Sequence, residues 1–119
     1  MFFSKKAFRK NTNGFNERKL YDLLTNIPHG RVVTYGTLAE LLGNKNWARA
    51  VGNALHRNPD GDKYPCYKVV NNKGALSFSY AFGGIDEQKR RLEAEGIMVQ
   101  NNKVELEIYA VDKKNIEDD

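Results

Sequence analysis

The stretch that decides the fold is RVVTYGTLAELLGNKNWARAVGNALHRNP, residues 31–59. Its first half starts with a short extended piece and continues into a predicted helix over residues 35–42. Thr34 can cap that helix, because a threonine hydroxyl can accept a free amide of the first turn. Gly43 stands where a left-handed C-cap is expected. The first half therefore predicts a short helix with a signal at each end.

The second half predicts another helix, WARAVGNALHR, after the four-residue turn GNKN. Asn46 can cap this helix. It ends at the Asn58-Pro59 step, because a residue before proline avoids helical geometry. Two short helices joined by a tight turn are typical of a helix-turn-helix, whose second helix lies in a groove of DNA.

Small side chains dominate the second helix, including Ala48 and Gly52, and Arg49 lies among them. A helix without bulk brings its backbone close to the surface that it faces, here a sugar-phosphate wall. We therefore group Ala48, Arg49, Gly52 and His56 as DNA-facing residues, together with Thr34 at the start of the motif. The alternative is that the small residues allow close packing between helices.

The sequence before the motif adds a basic arm and one helix. Residues 1–13 mix basic side chains with phenylalanines and reach an Asn13-Gly14 turn, so we expect an N-terminal basic arm ahead of the domain. Asn16 can cap a helix, ERKLYDLLTNI, whose leucines recur at helical spacing and which stops at Pro28. That helix is expected to belong mostly to the core.

The sequence after the motif predicts a strand, a charged helix and a hairpin. YPCYKVVN is rich in strand formers, GIDEQKRRLEAEG is a helix that ends at Gly96, and IMVQNNKVELEIYAV alternates around Asn101-Asn102. We expect residues 111–119 to form a frayed C-terminal tail. The fold expected over residues 14–110 is α/β but mostly helical: a winged-helix-like helix-turn-helix domain with a short strand carrying the cysteine and a C-terminal hairpin.

Length and composition limit the class of protein. A chain of 119 residues is long enough for one domain with a single core. It has no apolar run near the length of a membrane span and no secretory leader, which predicts an intracellular monomer, cytoplasmic or, in a eukaryote, nuclear. The histidines, His29 and His56, lie far from the single cysteine, so neither a metal nor a cofactor is expected.

Positive charge is concentrated in the first half of the chain. Through Lys68 there are twelve Lys and Arg against five Asp and Glu, and from Val69 onward there are seven against ten. A basic segment raises the association rate and the affinity for phosphate backbones without conferring sequence preference. It favours a polyanion as partner, and a solvated lysine-rich surface explains it equally well.

The single cysteine, Cys66, lies between Pro65 and a run of strand formers, where a buried valine would pack at least as well. One cysteine cannot form an internal disulfide. Cys66 is therefore either inert packing or a reactive thiol.

Four separated blocks occur in an order that resembles the active-site domain of the O6-alkylguanine-DNA alkyltransferase family. They are GRVVTYGTLAELLG, NWARAVGNALHRNP, PCYKVVN and FGGIDEQKRRLEAEGI, and the resemblance covers about residues 15–97. It implies a DNA repair protein that flips O6-alkylguanine out of double-stranded DNA, at a cost of a few kcal/mol, and transfers the alkyl group irreversibly to a cysteine. Such a protein is a single-turnover methylated-DNA-protein-cysteine S-methyltransferase.

The resemblance implies a role for each matching residue of the active site. Cys66 matches the acceptor, whose thiolate attacks the alkyl carbon. Asn58 matches the asparagine that braces the motif and the cysteine loop. Glu95 matches the glutamate at the far end of a proton relay to the thiol.

The resemblance also implies a DNA interface and a base pocket. Arg49 matches the arginine that enters the base stack and fills the space of the flipped guanine. Tyr35 matches the tyrosine that pushes the neighbouring phosphate and helps the rotation. Val69 and Gly84 are expected to line the pocket, Val69 by offering its backbone carbonyl to the base.

Two departures from the family pattern bear on the chemistry. Tyr67 stands where the family has the relay histidine, and Lys68 replaces an arginine. A phenol with a pKa of about 10 is a worse base than imidazole, so the departure predicts weaker activation of the thiol. The loop LSFSYAFGG is two residues longer than the pattern, so the pocket-closing serine of the pattern has no direct equivalent, and Ser79 and Tyr80 are the two candidates for its place.

Two other classes of protein stay open. Alkyltransferase-like proteins share the fold and the flipping apparatus, often as a single domain, but carry tryptophan at the acceptor position and flag the lesion for excision-repair proteins. A general DNA-binding winged module with an inert cysteine is the third class. The presence of Cys66 favours transfer over both.

Overall fold

The computed structural model describes residues 14–77 and 80–117, which form a mostly helical domain. The predicted arm over residues 1–13 lies outside the described residues, as does Ser79. In chain order the helices and strands are α1 (Glu17–Thr25), β1 (Val33–Thr34), α2 (Tyr35–Leu42), α3 (Ala48–His56), β2 (Val69–Val70), α4 (Gly84–Ala94) and α5 (Leu106–Tyr109). Three short 3-10 turns accompany them, at Lys45–Trp47, Cys66–Lys68 and Lys113–Asn115.

Helix α1 is the core helix that the leucine spacing predicts. Asn16 caps it, its side chain accepting the amide of Lys19 at 3.1 Å. Leu20, Leu23 and Leu24 are fully buried. Both predictions for this helix are confirmed, because a capped amphipathic helix needs only local signals and an apolar surface to cover it.

Strand β1 and helix α2 follow the sequence prediction closely. The hydroxyl of Thr34 accepts the amide of Thr37 at 3.1 Å and so caps α2. Gly43 ends α2 with φ at 120°, a conformation that glycine adopts without steric cost. Strand β1 pairs in parallel with β2, with Val33 opposite Val69. This pairing fixes the start of the helix-turn-helix beside the segment that carries the cysteine.

The second helix of the motif starts later than expected. The side chain of Asn44, not Asn46, accepts an amide, that of Asn46 at 2.8 Å. The chain then forms the 3-10 turn, and α3 begins only at Ala48. The prediction of Asn46 as the cap is therefore wrong, because Asn44 binds the Asn46 amide first and closes a tighter turn before the helix.

The cysteine lies in a turn that precedes the predicted strand. Cys66–Lys68 forms a 3-10 turn, with the Lys68 amide donating to the carbonyl of Pro65 at 3.1 Å, and the strand covers only Val69–Val70. Pro65 contributes a fixed φ of −75°. The prediction that residues 64–71 form one strand is therefore wrong for the part before Val69. The turn allows the side chains of both Cys66 and Lys68 to be buried.

Helix α4 confirms the prediction for the charged segment. Gln88 and Leu92 are buried on its inner side, and Ile85 packs partly against the same core. The helix is followed by Gly96 with φ at 83°. Helix α4 thereby covers the cysteine turn from one side.

The C-terminal hairpin is present only at its turn. Asn101 and Asn102 have φ of 53° and 58°, and Gln100 pairs with Lys103 across them. The chain then turns into the short helix α5, and Ile108 is 58% exposed. The prediction of a second strand is wrong there, because the carbonyl of Glu105 accepts the amides of Ile108 and Tyr109 and closes a helical turn.

The segment after residue 110 belongs to the domain as far as residue 117. Ile116 is fully buried, and its carbonyl accepts the side-chain amide of Asn26 at 3.2 Å. Val111 is buried in the same apolar cluster. The expectation of a frayed tail is wrong for residues 111–117, because these two apolar side chains find a place in the core.

Two apolar clusters form the core of the described residues, and Tyr67 packs against both of them. One cluster joins α1, α2 and α3, and the other joins β2, α4 and the residues on either side of the turn at 101–102, Val99 and Val104. None of the helices in the described residues is long and apolar enough to span a membrane.

The burial of Ile116 gives a stability prediction. Ile116→Ala is expected to lower the free energy of unfolding by about 2–4 kcal/mol, because it leaves a cavity in the core. Urea unfolding followed by circular dichroism measures this. Met98, which is 62% exposed, is the matched control, and Met98→Ala should stay within about 0.5 kcal/mol of the natural protein. Equal effects of the two changes would contradict the packing of the C-terminal segment.

Candidate active site

A cleft of about 710 Å³ lies between helix α3, the cysteine turn and the loop after β2. Its wall includes most of the residues that the sequence singles out. Those lining it are Tyr35, Ala48, Arg49, Gly52, His56, Cys66, Val69 and Tyr80. Asn58, Tyr67, Glu95, Thr34 and Gly84 are not part of the lining. The helix-turn-helix and the cysteine thus face one common space.

Cys66 is buried in the wall of this cleft, with 6% of its surface exposed. The side-chain amide of Asn58 donates to its sulfur at 3.2 Å and to the carbonyl of Tyr64 at 2.8 Å. The carbonyl oxygen of the same side chain accepts the amide of Asp60 at 3.0 Å. These three contacts orient the carboxamide, so that an N–H donor always faces the sulfur.

The environment of Cys66 keeps the thiol protonated near neutral pH. Burial raises the pKa of Cys66, and the hydrogen bond from Asn58 and the charge of Arg91 offset only part of that rise. Desolvation disfavours the charged form of any acid, whereas a donor to the sulfur favours the thiolate. Nucleophilic attack from this sulfur therefore requires the loss of a proton that the thiol holds tightly.

Tyr67 is engaged with Glu95 and is a poor base. Its hydroxyl donates to Oε2 of Glu95. Burial and the nearby Glu95 carboxylate raise the pKa of Tyr67 well above the ordinary tyrosine value. The guanidinium of Arg91 lies over the Tyr67 ring, 5.7 Å from its centroid. Tyr67 can therefore hold a hydrogen bond but cannot take a proton from the thiol near pH 7.

Glu95 accepts hydrogen bonds from three parts of the chain. Its Oε1 accepts the backbone amide of Gly30 at 2.8 Å and lies 3.0 Å from Nζ of Lys68. Burial alone would raise the pKa of Glu95, but the hydrogen bonds from Tyr67, Gly30 and Lys68 outweigh it and lower the pKa. Lys68 is itself buried, and its Nζ donates to the carbonyl of Pro28 at 3.0 Å. This buried ion pair joins the cysteine turn to the segment after α1 and to the end of α4.

Gln88 holds the cysteine turn through hydrogen bonds of its side chain. Its helical position predicts only that it faces inward, not which groups it binds. Its side-chain amide donates to the carbonyls of Tyr67 and Val69, at 3.0 and 3.2 Å. Its carbonyl oxygen accepts the amide of Ser77 at 2.8 Å. The carbonyl of Val69, expected to serve a bound base, therefore already accepts one hydrogen bond.

Most of the residues predicted to face DNA line the cleft. Arg49 is exposed, and Tyr35 is half-buried with its hydroxyl bonded to the side chain of Ser77. Gly52 lies next to the Tyr35 ring, since a Cβ at this position would be 3.9 Å from it. Thr34 uses its hydroxyl to cap α2. Its part in the motif is therefore the start of the helix, outside the cleft lining.

Tyr80 lies in the cleft wall, and its hydroxyl is buried. Only 8% of the residue is exposed, and the hydroxyl has no hydrogen-bond partner among the described residues. Burial raises the pKa of Tyr80 to about 12. Within residues 14–77 and 80–117 no group of three His, Cys, Asp or Glu side chains is placed to hold a metal ion.

The sequence and the fold match one family of known proteins. The model of the 6-O-methylguanine DNA methyltransferase DNA-binding domain matches residues 16–97. A bifunctional methyltransferase/endonuclease of Picrophilus torridus is 48% identical over 90 residues, which is 76% of this chain and 30% of that protein. A DNA base-flipping protein of Vibrio parahaemolyticus is 39% identical over 92 residues, 76% of this chain and 90% of that protein.

A solved structure has the same fold. Schizosaccharomyces pombe Atl1, in complex with damaged DNA containing O6-carboxymethylguanine, superposes with a TM-score of 0.75 at 32% identity, covering 86% of this chain and 98% of that one. The chain belongs to the O6-alkylguanine-DNA alkyltransferase family. It spans less than a third of the bifunctional relative and nearly all of the base-flipping relative.

The buried pair at Glu95 gives a second prediction. Glu95→Gln should lower the free energy of unfolding at pH 7 by about 3 kcal/mol, because it leaves the buried Lys68 charge without its partner. Glu93→Gln, an exposed change on the same helix, is the control and should have little effect. Urea unfolding measures both.

The same pair predicts a pH dependence. The folded-state pKa of Glu95 lies below its unfolded value, so its stabilisation is present above about pH 4.3 and is lost as the pH falls through the folded pKa. The difference in stability between natural protein and Glu95→Gln should therefore shrink in acid. A difference that is constant from pH 7 to pH 3 would contradict the ion pair.

Proposed function

We propose that this protein repairs O6-alkylated guanine in double-stranded DNA by flipping the base into the cleft and transferring the alkyl group irreversibly to Cys66. The observation that carries the proposal is the position of the buried thiol in a cleft whose opposite wall is the small-residue helix α3. The names of the relatives, a methyltransferase and a base-flipping protein among them, support it.

The flipping step is assigned to α3 and the start of α2. Arg49, exposed at the mouth, would enter the base stack in place of the extruded nucleotide, and Tyr35 would press on the neighbouring phosphate. Ala48 and Gly52 leave the backbone of α3 free to approach the DNA closely. Unstacking costs a few kcal/mol, which these contacts have to repay.

The transfer step is a displacement at carbon. The Cys66 thiolate forms a bond to the alkyl carbon, the bond from that carbon to O6 breaks, and the electron pair stays on the guanine. The thiol proton leaves to solvent and the departing guanine takes one up at N1, so protons balance. The Asn58 amide, 3.2 Å from the sulfur, stabilises the thiolate before attack.

A second function is favoured by one specific observation. The Tyr67 hydroxyl is committed to Glu95, and burial raises the pKa of the thiol, so the described residues around Cys66 include no ready base. A protein that binds the lesion without transfer and signals to excision-repair proteins needs no such base. The fold of Atl1, solved with damaged DNA, supports this alternative.

The two functions predict different masses. Incubation with a short duplex containing O6-methylguanine should add one methylene to the natural protein, located at Cys66 by peptide mapping, and nothing to Cys66→Ala. Both proteins should bind the lesion duplex, since flipping uses Arg49 and Tyr35. Lesion binding with unchanged mass of the natural protein establishes the sensor, and methyl removal by Cys66→Ala contradicts the acceptor assignment.

The position of Tyr67 predicts the pH profile of transfer. Single-turnover transfer should be slow near pH 7 and should accelerate as the pH rises toward the raised thiol pKa, because only the thiolate attacks. Tyr67→His should move the rise toward neutral pH, since imidazole accepts a proton there. Tyr67→Phe is the control and should keep the natural profile. A flat profile from pH 6 to 9, unchanged by histidine, would contradict both the raised thiol pKa and the expected gain from a base at position 67.

A further inference from the structure

The guanidinium of Arg91 lies between helix α4 and the loop that carries the cysteine. Its Nε donates to Oε2 of Glu87, one turn earlier on the helix, at 2.9 Å, and its Nη1 donates to Oδ1 of Asp62 at 3.2 Å. Its Cζ lies 5.7 Å from the centroid of the Tyr67 ring. A planar guanidinium can make forked hydrogen bonds and stack on a ring at the same time, which an ammonium group cannot. These contacts hold Arg91 in place, and only 25% of its side chain is exposed.

Two of these contacts fall on either side of Cys66 in the chain. Asp62 lies four residues before the cysteine, and Tyr67 follows it directly. The amide of Asn58 holds the sulfur itself, at 3.2 Å. Arg91 therefore ties the cysteine loop to α4 both before and after the residue that Asn58 orients.

Arg91 also brings a permanent positive charge to this part of the protein, because a guanidinium keeps its proton near and well above neutral pH. Burial raises the pKa of Cys66, whereas the hydrogen bond from Asn58 and the charge of Arg91 lower it. The carboxylates of Glu87 and Asp62 screen part of that charge. Its effect on the thiol is therefore smaller than the effect of an unpaired cation at the same place.

The other titratable groups around the thiol are the same whichever residue stands at position 91. Tyrosines reach it from three other elements, and burial raises the pKa of each of them, so they stay neutral near pH 7. They are Tyr21 on α1, Tyr35 on α2 and Tyr80 in the loop before α4. Helix α3 contributes Arg49 and His56 to the cleft lining, and Glu95 is paired with Lys68. Their charges cancel when variants of Arg91 are compared.

We propose that Arg91 is a positioning residue for Cys66, because it ties the loop on both sides of the cysteine to α4 and holds a fixed positive charge near it; the use of this thiol for alkyl transfer rests on the function proposed above. A positive charge near the sulfur favours the thiolate, which is the form that attacks carbon. Arg91 does not touch the reacting atoms and moves no proton. Since Tyr67 cannot act as a base, the charge of Arg91 supplies part of the activation by making the thiol proton easier to lose to solvent.

Alkylation of the thiol by iodoacetamide tests the proposal without DNA. Cys66 is the single cysteine, so intact mass reports its reaction directly. Arg91→Met keeps a long side chain against the Tyr67 ring but removes the charge. It should slow alkylation at pH 7.5 by about threefold, less than the tenfold or greater effect of an unscreened charge close to the thiol. The difference should shrink as the pH rises, because both thiols then become thiolates.

Arg90 is the matched control. Its Nε donates to the same carboxylate, that of Glu87, at 2.8 Å, but its side chain is 66% exposed. Arg90→Met should therefore react at the natural rate. Arg91→Lys keeps a positive charge and should recover most of the rate that Arg91→Met loses. Arg91→Gln is a second variant without charge and should be slowed like Arg91→Met, so the test does not depend on the folding of a single variant.

Several results of the alkylation experiment would overturn the proposal. A merely structural role predicts the opposite sign, because a loosened loop exposes the buried thiol and speeds its alkylation at every pH. Rates at or above the natural rate at pH 7.5 in the variants without charge at position 91 would therefore contradict it. Equal slowing by Arg90→Met, or an Arg91→Lys protein as slow as Arg91→Met, would show that the charge of Arg91 does not act on the thiol.

Transfer kinetics separate this proposal from the proposed function. With a saturating duplex that contains O6-methylguanine, Arg91→Met should slow single-turnover methyl transfer at pH 7.5 by the same factor as alkylation, and Arg90→Met should not. A transfer rate that Arg91→Met leaves unchanged would overturn the role of Arg91 in the reaction. If the natural protein transfers nothing, the transferase function fails, and alkylation still decides whether Arg91 favours the thiolate.

Discussion

The carboxamide of Asn58 is the interaction on which the arrangement of the cleft depends. It comes directly after helix α3 and its C-cap, and it holds the carbonyl of Tyr64 and the sulfur of Cys66 with one nitrogen. Its oxygen binds the amide of Asp60 and so fixes its own orientation. Helix α3, which we propose faces DNA, is thus joined to the thiol of Cys66 through one side chain, because a buried amide has to satisfy both its donors and its acceptor.

The charges behind the cysteine turn set the chemistry that this cleft can support. The Glu95 carboxylate accepts hydrogen bonds from Lys68, Gly30 and Tyr67, and these lower its pKa below the ordinary glutamate value. A carboxylate held this way stabilises the turn and does not draw a proton from Cys66. The ion pair thus holds the cysteine turn in place, whereas burial of the thiol itself raises its pKa. The hydrogen bond from Asn58 and the charge of Arg91 are among the contacts that favour the thiolate against this burial.

The sequence by itself determined the helix ends and the buried sides of the helices, because these features depend on residues close together in the chain. The caps at Asn16 and Thr34, the left-handed Gly43 and the inner side of α4 are all found where the pattern predicts them. Each depends on a side chain within four residues or on the φ that glycine permits. Cys66 and the small-residue helix were brought into one candidate site only by the resemblance to the family, because their local patterns do not place the two side by side.

Only the tertiary structure decided the features that depend on distant partners. The cysteine lies in a turn because its neighbours Tyr67 and Lys68 find Glu95, 28 and 27 positions away. Ile116 is buried because the first apolar cluster has room for it, although its charged surroundings in sequence suggest a tail. The hydroxyl of Tyr80 is buried for the same kind of reason, with no hydrogen-bond partner among residues 14–77 and 80–117. Burial and long-range hydrogen bonds are set by what the folded chain places nearby, and no local pattern encodes them.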